Sequence, residues 1–77
     1  MTEPLAELRA VVERTPAAPA AMAEYLVKVR DRAYAVSDAD VEALRSAGCS
    51  EEEIFEQTVA VAIGEGLRRL DAARDVL

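Results

Sequence analysis

Two residues in this sequence have a type and a position suited to chemistry, Cys49 and Glu65. Cys49 stands directly before Ser50-Glu51-Glu52-Glu53. The start of a helix favours a thiolate, the nucleophilic form of cysteine, whereas nearby carboxylates disfavour a further negative charge. A thiol enzyme also needs a base, and the sequence contains no histidine. A peroxide-reducing thiol needs a second cysteine to resolve its sulfenic acid, and Cys49 is alone. Cys49 is therefore expected to fill a turn as a small apolar residue, with nucleophilic chemistry as the alternative. Glu65 is the only acid between Gln57 and Asp71 and directly follows an uncharged run. A carboxylate in such a place can act as a general base. Arg68 and Arg69, three and four residues on, instead point to a surface ion pair. No zinc site is expected without histidine or a second thiol, and no cofactor is expected.

The elements that carry these residues are all helical. The first helix is expected from about Pro4 to Arg14, with Leu5, Leu8 and Val12 on one face and Thr15-Pro16 as its stop. After the linker TPAAPA, a second helix is expected from about Pro19 to Ala35. Its apolar stripe is Met22, Leu26, Val29 and Ala33, and Glu24 with Lys28 forms an i,i+4 pair. Ser37 caps a third, short helix that carries Val41 and Leu44 inward and ends at Gly48. Ser50 and Glu53 form a capping box for a long fourth helix running to about Arg74 or beyond. Together these make one all-α domain over residues 1–77: a helix and linker over 1–18, and a core unit over 19–77.

The fourth helix has no charge on any face from Thr58 to Gly64. An ordinary amphipathic helix has a single apolar stripe, so this section should be covered on more than one side. Three short flanking helices cover it only partly. The anchors expected in the core or a subunit interface are Phe55, Val59, Ile63, Leu67 and Leu70. The small residues Ala60 and Gly64, and Ala62 and Gly66, lie four apart and permit close helix approach. Tyr25 and Tyr34 fit either location. The expected architecture is thus a small bundle of about four helices that forms a homo-oligomer through its long helix.

Composition narrows the partners. The 77 residues carry a net charge of −6, with 15 acidic against 9 basic side chains. Phosphate backbones and anionic membrane surfaces both call for a basic face, so neither nucleic acid nor membrane is an expected partner. The helix–glycine–helix of residues 38–66 has the outline of a DNA-binding motif. Its second helix, however, would lead with the carboxylates of EEEIFEQ. The segment MTEPLAELRA has acids where a secretory signal has positive charge, and TVAVAIG is too short to cross a bilayer. A cytoplasmic protein is expected.

The segment AYAVSDADVEALRSAGCSEEEIFEQTVAVAIGEGLRRLDAA resembles the carboxyl-terminal portion of the alkyl hydroperoxidase D-like, carboxymuconolactone decarboxylase superfamily. The matching features are a helix ending in Ala47-Gly48, the acidic start Ser50 to Glu53, and an Ala/Val-rich helix ending in Leu67-Arg68-Arg69-Leu70. The resemblance implies an all-helical fold that assembles through helix packing. It also implies, for peroxidase members, a Cys-x-x-Cys pair with a histidine and a glutamate on the helix before the glycine turn. Here that region reads MAEYLVKVRDRAYAV, without cysteine or histidine, and Cys49 lies beyond it. The expectation is therefore a non-catalytic interaction or scaffold protein lacking the redox centre, possessing a possible protein partner. The alternative is a divergent peroxidase- or decarboxylase-like enzyme using Cys49 or Glu65 in a pocket between subunits.

Overall fold

The computed structural model describes residues 4–76; Met1 to Glu3 of the MTEPLAELRA segment, and Leu77, lie outside the described residues. The chain forms four α-helices: α1 (Pro4–Arg14), α2 (Ala23–Arg32), α3 (Asp38–Ser46) and α4 (Glu51–Val76). No strand occurs among the described residues, and the architecture is an all-α bundle. At 26 residues α4 is about 39 Å long, and it sets the 44 Å long axis of the molecule. α1, α2 and α3 all pack against it.

The joint between α3 and α4 follows from local chemistry. Gly48 has φ +99°, which only glycine adopts without strain. The Cys49 amide donates to the Leu44 carbonyl at 3.0 Å and the Gly48 amide to that of Arg45 at 3.0 Å. This is a Schellman ending, whose usual companion is an apolar contact between the residue after glycine and the last turn. Here Cys49 and Leu44 are both buried in the same cluster. At the start of α4 the Glu53 amide donates to Ser50 Oγ, and the Ser50 amide to Glu53 Oε1, each at 3.1 Å. The capping box is therefore closed. α3 uses a related device: the Ser37 amide donates to the Asp40 carboxylate at 2.8 Å.

The second helical segment differs from the uninterrupted helix expected over Pro19 to Ala35. A 3₁₀ turn over Ala20–Met22 precedes α2 and another over Ala33–Ala35 follows it. At the first, the Met22 amide donates back to Pro19 at 2.9 Å, and Met22 becomes fully buried. At the second, Arg32 leaves helical geometry (φ −146°, ψ 54°) although nothing in Arg32-Ala33 disfavours a helix. The break directs Val36 onto the core and leaves Ala33 and Tyr34 outside. Tertiary packing overrides propensity here.

α1 is also rotated relative to its expected stripe. Leu5 and Val12 are half-buried, but Leu8 is exposed and Arg9 takes its place toward α4. The main core gathers Met22, Tyr25, Val29, Leu44, Cys49 and Ile54, with Leu26, Val36, Val41 and Val61 packed around it.

Candidate functional site

Cys49 is 8% exposed and belongs to the apolar core, so its thiol is a packing group of the Schellman turn. Glu65 sits with its side chain 17% exposed on α4. Arg68 donates from Nη2 to both of its carboxylate oxygens at 2.8 Å, and Arg69 Nε lies 3.6 Å away. The two residues with chemical potential are thus far apart in role: one is buried among apolar side chains, the other is neutralised by arginine. No group of three or more Cys, Asp or Glu suited to a metal ion occurs among the described residues.

Polar groups that the sequence left unremarked hold the helices in place. Gln57 is buried and its amide nitrogen donates to the Pro16 carbonyl at 2.7 Å, tying the linker after α1 to α4. Nothing in the local pattern marks Gln57, since its partner is 41 residues away. Tyr25 is buried, and its hydroxyl lies 2.7 Å from Thr58 Oγ1. Thr58 itself donates to the Ile54 carbonyl at 2.6 Å, so the phenol is the donor to Thr58. Lys28 reaches Asp40 on α3 at 2.7 Å rather than relying on its helical neighbour Glu24. The Lys28 ammonium and the Ser37 amide together hold the Asp40 carboxyl below its ordinary range. Arg9 donates to Asp71 from Nη2 and Nη1 at 2.7 and 3.1 Å, and lowers the Asp71 carboxyl likewise. Every buried side-chain polar atom among the described residues has a hydrogen-bond partner.

Several concave regions lie between the helices, two of them along α2. A cleft of about 530 Å³ between α2 and α3 is lined by Glu24, Tyr25, Lys28, Arg32 and Asp40. Its tyrosine, lysine and aspartate are already committed to Thr58 and to each other. A groove of about 480 Å³ runs beside α4, where Arg30, Asp31 and Tyr34 face Ala62, Glu65, Gly66 and Arg69.

The residues expected to anchor the core or an interface divide between the two sides of α4. Ala60 and Leu67 are buried within the molecule, with Ile54 and Gln57 on the same side. Val59, Ile63 and Gly64 are half-buried. Phe55, Ala62, Gly66 and Leu70 face outward; Phe55 is 72% exposed. Tyr34 is 88% exposed, whereas Tyr25 is in the core. Gly64 faces α1, where an added Cβ would sit 4.0 Å from Val12 Cγ1. At Gly66 an added Cβ would meet nothing within 4 Å. A helical glycine costs roughly 0.5–1 kcal/mol relative to alanine, and no packing within one copy offsets that cost at Gly66.

The surface is large for the mass. A compact monomer of 8.3 kDa exposes about 4,600 Å² by the usual scaling, and this one exposes 5643 Å². Its radius of gyration is 14.0 Å, against about 11.5 Å for a compact 77-residue domain. No helix is long and apolar enough to cross a membrane among the described residues. No family model matches the chain, and no curated protein or solved structure matches it significantly.

Proposed function

We propose that the protein is a small, non-catalytic oligomeric module, an interaction or scaffold protein of the cytoplasm that assembles through α4. The observation that carries this reading is the outward face of α4, an apolar surface with Phe55 at 72% exposure on a chain whose total surface exceeds the compact expectation. Cys49 in the core and Glu65 between two arginines support the non-catalytic reading over an enzyme built on either residue. The likeness of residues 33–73 to the carboxymuconolactone decarboxylase-like superfamily fits a helical module that has lost its redox residues.

Light scattering across a concentration series tests it. The expected result is a closed oligomer that persists into the low micromolar range. A well-folded monomer throughout would defeat the reading. Thiol labelling provides the complementary test of catalysis: Cys49 should react with a thiol reagent or peroxide only once the protein unfolds. Rapid reaction of the native protein would return the enzyme alternative to the front.

A further inference from the structure

The outward side of α4 carries a repeating seam. Glu52, Phe55, Val59, Ala62, Gly66 and Arg69 follow one another at spacings of three, four, three, four and three. That alternation keeps them in line along one side of a helix, as in the a and d positions of a coiled coil. The side chains that α4 spends on its own core, Ile54, Gln57, Ala60 and Leu67, lie on the other side. Within one copy most of the seam is open: Phe55, Ala62, Gly66 and Arg69 are exposed and Val59 is half-buried.

We propose that this face docks a second copy of the same chain, with the two α4 helices antiparallel and the two-fold axis between Ala60 and Val61. This deepens, and rests on, the oligomeric reading above. In that register Phe55 of one copy faces Gly66 of the other, Val59 faces Ala62, and Glu52 faces Arg69. Each contact occurs twice. Every apolar layer thus pairs a large residue with a small one, as close-packed interfaces require. Phe55 enters the groove between Tyr34 and α4, whose floor is Ala62 and Gly66. That accounts for a glycine at a helical position where the single copy has no use for one.

Charge selects the same arrangement. Glu52 has no ion pair among the described residues, and Arg69 reaches Glu65 only at 3.6 Å with its side chain 74% exposed. The antiparallel pairing gives each the other as partner. Parallel pairing would set Glu51, Glu52 and Glu53 of one copy against the same three of the other, which repels. Sliding the antiparallel pair by one heptad would press Val59 against Arg69 in one direction and the Glu52 carboxylate against Ala62 in the other. The seam from 52 to 69 is about 25 Å long.

Charge exchange measured by sedimentation equilibrium tests this, with far-UV circular dichroism to confirm that each variant is folded. Glu52→Arg and Arg69→Glu, made singly, should each weaken self-association about tenfold or more, and the double variant should restore it to near the wild-type value. Gly66→Ala should act in two directions, raising the melting temperature of the dilute monomer while weakening the dimer. A wild-type protein that stays monomeric overturns the oligomeric reading and this pairing with it. A wild-type oligomer whose charge exchange is not restored in the double variant, or which Gly66→Ala leaves intact, overturns the pairing alone.

Discussion

Near its amino terminus α4 enters a core built from three elements, where Ile54 packs with Met22, Tyr25, Val29, Leu44 and Cys49. Further along, α1 lies against it over Ala60 and Leu67, both buried, while Leu8 and Val11 of α1 stay exposed. That second region relies on polar links instead: Gln57 to the Pro16 carbonyl and Arg9 to Asp71. The contrast shows two ways of fixing a helix. Apolar burial is strong and indifferent to pH, whereas hydrogen bonds and ion pairs are directional and easily weakened. α1 should therefore leave the bundle before the central core opens.

Met22→Ala is expected to have the largest effect. It empties the most buried side chain and should cost about 2–5 kcal/mol, a large share of the stability of so small a domain. Denaturant titration should show loss of the whole bundle; a shift confined to α1 would break the contrast between the regions. Gln57→Ala comes next, at about 1–3 kcal/mol, because it removes a buried donor and leaves the Pro16 carbonyl without its partner. Hydrogen exchange should rise first in α1, with α2 and α3 still protected. If exchange rose equally everywhere, the two regions would be one cooperative unit.

Tyr25→Phe should cost about 1 kcal/mol, since the ring stays packed while the hydrogen bond to Thr58 is lost. Thermal unfolding measures it, and the loss should fall on the central core with α1 exchange unchanged.

Acid should give the smallest and most local effect. The Asp71 and Asp40 carboxyls are held below their ordinary range, so the unfolded chain binds protons that the folded chain refuses. Their contribution is complete above the unfolded carboxylate value near 4 and is lost as pH falls through the lower folded values. Protection of α1 amides, taken relative to their intrinsic exchange rate at each pH, should fall on acidification through that range, and Asp71→Asn should remove that part of the pH dependence. Unchanged α1 protection on acidification would show that the Arg9 link contributes nothing.

Much of the framework can be read from local signals. Pro4 and Thr15-Pro16 bound α1, Ser37 and Asp40 start α3, and Gly48 with Ser50 and Glu53 makes the joint into α4. These are short-range effects: a proline lacks an amide, a serine hydroxyl reaches an amide three residues on, and glycine alone enters the left-handed region freely. The interruptions around α2 were not legible. Ala20–Met22 and Arg32-Ala33 have good helical propensity, and the chain departs from the α-helix there to seat Met22 and Val36.

The candidate site divides in the same way. The apolar run of α4 and the small residues within it are visible along the chain, since they need only periodicity. Which of them turn inward depends on where α1 and α2 lie. Phe55 has the same residue type whether buried or exposed, and only the packed bundle places it outside while Ala60 and Leu67 go inside. Gln57 likewise gains its meaning from a carbonyl 41 residues away. Local sequence determines helices, caps and turns because their interactions span a few residues. The facing of each helix is decided by the tertiary structure, because burial is shared among side chains that the chain brings together only on folding.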